Sequence, residues 1–286
     1  MVETSSEYIE VLLDTFRAFD SFCKDKGLQY FAAYGTAIGV VRHQGIIPWD
    51  DDIDVYMLRE DYERFKSYRG NINEKYDIMD ERDENYWFSC AKFYNINTSI
   101  WEHDYFPVVF GVYIDVFPLD EAIPSEFLQL KKETIDKYLK YQHTFMRKNL
   151  KSFFKNIFSK NLGLALQNLE NLLYYRWNKK KCSTNYREVE NRVKDAKGSH
   201  IASYWGPYGS ELFEKEWFSK AIEMPFEGMT IPMAVGYDNY LRKIYGDYME
   251  LPPEEKRITH HNHLYENLKE GLTLGEIKER MKNKKS

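Results

Sequence analysis

The stretch that decides the fold runs from residue 46 to residue 55 and reads Ile-Ile-Pro-Trp-Asp-Asp-Asp-Ile-Asp-Val. Its four carboxylates repel one another at this density unless a cation neutralises them. Side chains alternate between the two faces of a strand, so Asp52 and Asp54 share one face while Ile53 and Val55 anchor the other in a core. The pattern predicts a divalent-metal site on a buried strand rather than a solvated acidic turn.

The same carboxylates do not form an EF-hand calcium loop. That loop requires Gly at its sixth position and Glu at its twelfth. Counting from Asp50 places Val55 and Asp61 at these positions. The EF-hand interpretation therefore fails.

A third metal ligand is predicted at Asp115, which lies between Ile114 and Val116 in another apolar, strand-like segment. Magnesium prefers oxygen ligands, and manganese is a plausible substitute for it. Three carboxylates, here Asp52, Asp54 and Asp115, can hold two such ions when phosphate oxygens complete the coordination. Two ions together stabilise the attacking and leaving oxygens of an in-line displacement.

Phosphate contacts are predicted from the residues just upstream. Residues 28–34 indicate a strand, and Gly35-Thr36 then opens a short helix through residue 41. Backbone N–H groups at a helix N-terminus bind phosphate oxygens. Arg42 and His43 follow, and a guanidinium binds phosphate through two parallel hydrogen bonds. Lys92 is either a further phosphate contact or an ordinary surface lysine.

A cluster of histidines follows Arg257 near the C-terminus, at positions 260, 261 and 263. Spacings of one and two residues do not place ligands on one helical face, and no cysteine is nearby to complete a zinc site. Arg257 and His260 are therefore expected to contact substrate rather than a transition metal.

Composition limits the function classes. The 286 residues are 43% hydrophobic and 16% aromatic, with a net charge of −5, which argues against a nucleic-acid binder. Three scattered cysteines form neither a disulfide framework nor a zinc pattern. No signal peptide or membrane-spanning stretch is recognisable, so a cytoplasmic location is expected.

Three segments are predicted, with an α+β fold overall. Residues 1–125 form a catalytic core with a helix over 6–26, a helix over 59–68 and strands over 86–94 and 108–117. Residues 126–200 form a helical region. Residues 201–286 contribute a hairpin over 222–232 that turns at 227–228, a helix over 235–245, and a lysine-rich end that frays over its last twenty residues.

The helical region contains a basic stretch, residues 147–181, with nine Lys or Arg and the single acid Glu170. Apolar residues are interleaved with the basic ones. A solvated helical hairpin explains this pattern. A basic amphipathic surface in peripheral contact with the inner face of a membrane explains it as well.

Several motifs together resemble the LicD/fukutin family. The first reads Tyr-Gly-Thr-Ala-Ile-Gly-Val-Val-Arg-His-Gln-Gly-Ile-Ile-Pro-Trp-Asp-Asp-Asp-Ile-Asp over residues 34–54. The others are Tyr-Ile-Asp-Val-Phe-Pro-Leu-Asp over 113–120, Tyr-Leu-Arg-Lys-Ile-Tyr-Gly-Asp-Tyr-Met over 240–249, and Leu-Pro-Pro-Glu-Glu-Lys-Arg over 251–257. One mild departure is Ala37-Ile38, where Leu-Leu is more usual.

The resemblance implies a nucleotidyltransferase-like core of the polymerase-β type. It also implies transfer of phosphocholine from CDP-choline to a hydroxyl of a cell-surface glycan precursor, with release of CMP. The acceptor would belong to teichoic acid, lipopolysaccharide or capsule, free or lipid-linked. Asp50 or Asp51 would accept the hydroxyl proton, and Tyr204 with Trp205 would enclose the choline ammonium unless they are core residues.

Three alternatives remain open from the sequence. A CDP-linked ribitol or glycerol phosphate would replace phosphocholine without any change of reaction class. Attack at the α-phosphorus would instead transfer the nucleotide. A non-catalytic glycan-binding protein is the third alternative, and the intact Asp52, Asp54 and Asp115 argue against it.

Overall fold

The computed structural model describes residues 5–104, 106–145, 158, 162–259 and 263–283. Helices within this part of the chain are α1 (Ser6–Lys26), α2 (Tyr34–His43), α3 (Arg59–Ser67), α4 (Pro124–His143), α5 (Leu162–Trp177), α6 (Lys179–Asp195), α7 (Tyr237–Tyr245) and α8 (Leu274–Asn283). Strands are β1 (Phe31–Ala32), β2 (Asp54–Leu58), β3 (Tyr76–Met79), β4 (Ala91–Asn95), β5 (Ser99–Trp101), β6 (Tyr113–Ala122), β7 (His200–Ala202), β8 (Leu212–Glu214), β9 (Ala221–Phe226), β10 (Met229–Ala234) and β11 (Tyr265–Asn267).

The central sheet is mixed and has the order β1-β2-β6-β4-β3. Strands β2 and β6 run parallel, whereas β1–β2, β4–β6 and β3–β4 are antiparallel. The far end of β6 pairs with β7, which pairs with β8. Helices α1 and α3 pack against this sheet, each in contact with β6. The predicted α+β fold with a mixed sheet is confirmed.

Helix α1 matches its prediction at both ends. The Ser5 hydroxyl accepts a hydrogen bond from the Tyr8 backbone N–H at 3.1 Å, which satisfies one of the free donors of the first turn. Gly27 ends the helix in the left-handed conformation, with φ of 60°, which costs a glycine no steric clash. The buried face of α1 belongs to the main core.

Two predicted strands are misplaced. Strand β4 begins at Ala91 rather than at residue 86, and β6 begins at Tyr113 rather than at residue 108. The aromatic and β-branched residues before each strand pack together in a second cluster, which includes Trp87 and Phe110. Composition typical of strands therefore also occurs in buried loops, because both environments select large apolar side chains.

The strand predicted over residues 28–34 is also wrong in extent. Only Phe31 and Ala32 pair with β2, and α2 begins at Tyr34. Gly39 permits the chain to return closely over α2, because a Cβ there would lie 2.4 Å from the Gly45 carbonyl oxygen. This close return directs residues 46–54 back toward the start of the helix.

The last segment of the chain completes the main core. Strands β9 and β10 form the predicted hairpin, whose turn residues Glu227 and Gly228 both have positive φ, as a type I′ turn requires. The Tyr240 hydroxyl on α7 donates to the Ala32 carbonyl at 2.9 Å. Residues from both ends of the chain thus share one cluster. The division into segments 1–125, 126–200 and 201–286 stays a prediction.

The fraying predicted for the C-terminus is wrong as far as residue 283. Helix α8 covers Leu274–Asn283 and buries Ile277. Thr273 and Glu276 form a capping box, in which the Thr273 N–H donates to Glu276 at 2.8 Å and the Glu276 N–H donates to the Thr273 hydroxyl at 3.4 Å. This start signal outweighs the lysine-rich composition.

The predicted helical region is confirmed in the residues described, where α4 packs against α6 and α6 against α5. Residues 147–157 and 159–161 of the basic stretch lie outside the described residues. Among the helices that are described, none combines the length and apolar character needed to cross a membrane.

Candidate active site

Two of the predicted metal ligands are neighbours in the central sheet. Asp54 begins β2 and pairs in register with Asp115 on the parallel strand β6. Residues paired in register share a face of the sheet, and adjacent strands are roughly 4.8 Å apart. Asp115 is in turn paired with Lys92 on β4. These three residues form a row across the sheet, called here the carboxylate row.

Lys92 occupies this row as a partner of Asp115. Its Nζ atom donates to Asp115 Oδ1 at 2.7 Å, and the residue is only 2% exposed. Burial opposes the charge of Lys92, but the Asp115 carboxylate outweighs it and holds the pKa of the lysine above its usual value. Lys92 does not line the cavity described below. The structure therefore places the predicted phosphate contact in an ion pair that holds Asp115.

Asp54 carries more negative charge around it than the one lysine offsets. Burial raises its pKa well above the ordinary value, and the nearby carboxylates Asp52, Asp115 and Asp50 raise it further. Lys92 lowers it by a smaller amount. Crowding of like charges in a partly buried site is the condition that a divalent cation relieves.

The preceding residues bring three more carboxylates together. Oxygens of Asp50, Asp51 and Asp52 lie within 4.8 Å of one another, a spacing that suits a shared cation. Asp51 is buried, and its Oδ2 accepts a hydrogen bond from the Thr259 hydroxyl at 2.5 Å. Asp50 and Asp52 line the cavity, whereas Asp51 does not. Of the four neighbouring acids, Asp50, Asp52 and Asp54 therefore line the cavity, whereas Asp51 is buried away from it.

The Gly35-Thr36 pair differs from its prediction. Both residues lie inside the first turn of α2, whose N-cap is Ala33, so Thr36 is not the capping residue. The Thr36 hydroxyl instead accepts a hydrogen bond from the Asp54 N–H at 2.9 Å, which ties the helix to β2. Gly35 lines the cavity, and a Cβ there would lie 2.5 Å from Asp50 Oδ2.

Positive charge gathers at Trp49, on the approach to these acids. The guanidinium groups of Arg42 and Arg257 lie 6.0 Å and 5.5 Å from the centroid of the Trp49 ring. Burial, and then the charge of Arg257, lower the pKa of Arg42. Two crowded guanidinium groups of this kind favour an anionic ligand. Arg42 and Lys256 line the cavity.

His43 supports Arg42 rather than lining the cavity itself. Arg42 Nε donates to His43 Nε2 at 2.9 Å, and Arg42 Nη1 donates to the Tyr248 carbonyl at 3.0 Å. Burial and the charge of Arg42 lower the pKa of His43, so its imidazole is neutral and accepts this hydrogen bond at pH 7. Arg257 Nε donates to the Pro252 carbonyl at 2.8 Å. His260 lies outside the described residues.

One open cavity of about 790 Å³ joins these groups. Acidic residues and aromatic residues line it together. The residues that line it include Tyr34, Gly35, Arg42, Trp49, Asp50, Asp52, Asp54, Asp115, Phe117, Tyr208, Tyr245, Tyr248 and Lys256. A volume of this size accommodates a nucleotide-sized ligand.

The predicted choline contacts are wrong in position. Tyr204 is 1% exposed and contacts Phe127 with tilted rings in a third cluster, and Trp205 packs against Tyr138 and Tyr186. Neither lines the cavity. The aromatic residues that do line it come from distant segments, so their meeting carried no local sequence signal. Only their occurrence within recognisable motifs, as for Tyr34 and Tyr245, could have indicated them.

A mixed sheet that places carboxylates from neighbouring strands in a cavity beside a Gly-Thr helix start defines a nucleotidyltransferase-like enzyme. Residues 27–151 match the family described as LicD/FKTN/FKRP, nucleotidyltransferase domain. The chain is 30% identical over 260 residues to the lipopolysaccharide cholinephosphotransferase LicD of Haemophilus influenzae, covering 88% of this chain and 93% of that protein. The chain therefore belongs to the LicD family and is a transferase.

Two shorter similarities are to uncharacterized proteins of Rickettsia. One, from Rickettsia typhi, is 41% identical over 64 residues, which is 19% of this chain and 21% of that protein. The other, from Rickettsia prowazekii, is 53% identical over 34 residues, which is 12% of this chain and 13% of that protein.

Proposed function

We propose that this protein transfers phosphocholine from CDP-choline to a hydroxyl of a cell-surface glycan precursor and releases CMP. The observation that carries the proposal is the pairing of Asp54 with Asp115 at one cavity, in a chain similar along most of its length to a cholinephosphotransferase. That relative acts on lipopolysaccharide, as its name states. A glycan acceptor, free or lipid-linked, is proposed here on that ground.

The carboxylates fit a divalent cation such as magnesium or manganese. The fit rests on the raised pKa of Asp54 and on the close approach of Asp50, Asp51 and Asp52. Asp52, Asp54 and Asp115 would hold the metal. When bound, such ions neutralise pyrophosphate oxygens and the charge that develops on the leaving group.

The protein's own residues account for donor binding. Arg42 and Lys256 would contact the phosphate oxygens, with Arg42 oriented by His43 and by the Tyr248 carbonyl. The ring of Trp49, which lies near the guanidinium groups of Arg42 and Arg257, would contact the cytosine base. Lys92 would fix the orientation of Asp115 through its ion pair. Each of these groups is already in place before a donor enters.

The transfer step then needs a hydroxyl and a proton acceptor. The acceptor hydroxyl oxygen would form a bond to the phosphorus that carries choline, and the bond from that phosphorus to the bridging pyrophosphate oxygen would break. CMP leaves with that oxygen. Asp50 is the better proton acceptor of the two predicted, because it lines the cavity while Asp51 is buried against Thr259.

A lipid-linked acceptor would require contact with a membrane surface, and the junction of α5 and α6 is suited to such contact. Trp177 is 77% exposed, and the neighbouring basic residues Arg176, Lys179, Lys180 and Lys181 are exposed as well. Tryptophan and lysine together favour the interface of an anionic bilayer. Flotation with vesicles containing phosphatidylglycerol at low salt tests this contact. Loss of binding is expected for Trp177→Ala. If the unmodified protein does not bind these vesicles, the proposed membrane contact is contradicted.

The reaction itself is tested by offering donors one at a time. The protein with magnesium and a lipopolysaccharide acceptor should release CMP from CDP-choline, and mass spectrometry should show the acceptor gaining phosphocholine. If CMP is released only from CDP-ribitol or CDP-glycerol, the transferred group is a polyol phosphate rather than phosphocholine. A gain of a cytidylyl mass on the acceptor would indicate nucleotide transfer, and no product with any donor would favour a binding protein.

A further inference from the structure

Four aromatic rings form a continuous surface at the cavity. Tyr34 meets Phe117 edge-to-face at a centroid distance of 5.3 Å and Tyr208 at 6.3 Å, and Tyr208 meets Tyr245 edge-to-face at 5.2 Å. All four residues line the cavity. This set of four is called here the aromatic wall. It lies on segments that are far apart in the sequence.

The aromatic wall begins beside the carboxylate row. Phe117 follows Asp115 by two residues on β6, so both side chains lie on the same face, roughly 7 Å apart along the strand. In phosphocholine, two carbons separate the phosphoester oxygen from the nitrogen. A phosphoryl group held near Asp115 therefore brings its head group within reach of Phe117 and Tyr34.

The polar atoms of the wall are already committed within the protein. The Tyr34 hydroxyl donates to Glu211 Oε1 at 2.6 Å. Burial, the proximity of Tyr208 and a hydrogen bond with its side chain all raise the pKa of Tyr245. A polyol head group would therefore find few hydrogen-bond partners at this surface. An ammonium group that needs no hydrogen bond suits it better.

No lysine or arginine of the described residues lies over any ring of the wall. The guanidinium groups of Arg42 and Arg257 lie over Trp49, and that of Arg242 lies over Tyr248. Ring faces attract a cation most strongly when the cation has weak hydration, as a quaternary ammonium has. The wall is thus an aromatic surface that no lysine or arginine of the described residues covers.

A buried carboxylate outside the reaction holds the wall in place. Glu211 is 0% exposed and accepts hydrogen bonds from Tyr34, from the Tyr208 backbone N–H at 3.0 Å and from Lys131 Nζ at 2.7 Å. Gly206 covers this group closely, since a Cβ there would lie 1.9 Å from Glu211 Oε1. The Glu211 carboxylate thus connects the segments that carry Tyr34 and Tyr208 to helix α4.

The backbone of Tyr34 shows that its position is imposed. Its φ is 45°, in the left-handed region that residues other than glycine rarely adopt. Such conformations persist only where the surroundings enforce them. The hydrogen bond to Glu211 and the packing against Phe117 provide that enforcement.

We infer that the aromatic wall binds the quaternary ammonium of the donor and sets the preference for choline, and that Glu211 is the positioning residue of this subsite. The inference rests on the proposed function and adds the residues that select the head group. The charge of the ammonium, and not only its size, is what the rings recognise.

The experiment compares two donors of equal shape. The head group of CDP-choline carries a positive charge, whereas CDP-3,3-dimethylbutanol has carbon in place of the nitrogen, so its head group is uncharged. The protein should prefer CDP-choline in kcat/KM by about 10-fold. Tyr208→Leu and Tyr245→Leu should each reduce this preference at least about threefold, whereas Tyr208→Phe should retain it. Tyr68→Leu, which directly follows α3 and does not line the cavity, is the control for general loss of an aromatic residue.

Glu211 is tested with a variant that avoids an unpaired buried charge. Lys131→Met with Glu211→Leu replaces the ion pair by apolar groups of similar size, which buried sites often tolerate. A folded double variant should show a raised KM for CDP-choline and a reduced preference over the neutral donor. An unchanged preference in that folded variant would show that Glu211 only supports the fold.

The two proposals fail in different ways. If the unmodified protein releases no CMP from CDP-choline but uses another donor, the proposed function fails. If it uses CDP-choline and both leucine variants keep the full preference over the neutral donor, the proposed function stands and the aromatic wall is not the choline subsite.

Discussion

Two sets of charged residues in this protein are built in opposite ways. In the carboxylate row, a single ammonium, that of Lys92, faces Asp54 and Asp115, with Asp50 and Asp52 close by. The Lys131–Glu211 pair has one charge of each sign, and both residues are almost fully buried. The first set carries excess negative charge at an open cavity, and the second is balanced and closed.

The difference separates groups that contact a ligand from groups that act only through the packing they hold in place. An excess of like charge is unfavourable in the protein alone and becomes favourable when a cation or substrate joins it. A balanced buried pair loses most when one member is removed, because the other is then left buried without a partner. Substitutions in the two sets should therefore change different measurable quantities.

The largest effect on activity is expected for Asp54→Asn. Loss of one ligand from a metal-dependent displacement costs several kcal/mol of transition-state stabilisation, or about 1,000-fold in turnover. The substitution removes one of several crowded negative charges, so the melting temperature should not fall. CMP release and thermal unfolding measure the two quantities. Full activity in a folded Asp54→Asn protein would contradict the metal site.

The largest effect on stability is expected for Lys131→Met. Glu211 would remain buried with an uncompensated charge, which costs about 3–5 kcal/mol in the free energy of unfolding. Urea denaturation measures this loss. The double variant with Glu211→Leu should recover most of it. If Lys131→Met is as stable as the unmodified protein, the Lys131–Glu211 pair does not stabilise the fold and the contrast between the two sets of charges fails.

Lys92→Met tests the boundary between the two sets, because Lys92 is buried like Lys131 but pairs with a residue of the cavity. We expect a loss of about 10- to 100-fold in turnover, as for residues that orient a metal ligand. The side chain of methionine matches the length of the lysine stem, so packing against Tyr113 is largely kept. If only stability falls and turnover per folded molecule is unchanged, Lys92 belongs with the structural pair.

The smallest effect is expected for Gly35→Ala. The added Cβ would meet Asp50 Oδ2 at 2.5 Å and displace that carboxylate, with about a tenfold loss in kcat/KM and little change in stability. Gly275→Ala is the matched control, since the nearest atom to a Cβ there is 3.8 Å away. Equal activity of the Gly35→Ala and Gly275→Ala variants would show that Asp50 does not act in the site.

Local sequence signals predicted much of the chain. The helix over 6–26 and the hairpin turn at Glu227-Gly228 were predicted correctly, because caps and turns depend on neighbouring backbone geometry. The crowded acids predict a cation-binding site, and that site stays a prediction. Strand limits near residues 86 and 108 were wrong because aromatic loops there pack as tightly as strands do.

The sequence by itself determined that this chain carries crowded carboxylates that predict a cation site, a Gly-Thr helix start and the motifs of the LicD family. Only the tertiary structure decided which acids face the cavity, that Lys92 pairs with Asp115, and that Tyr34, Phe117, Tyr208 and Tyr245 meet. The physical reason is distance along the chain. Caps and alternation act between near neighbours, whereas the Tyr34–Glu211 contact joins residues 177 positions apart.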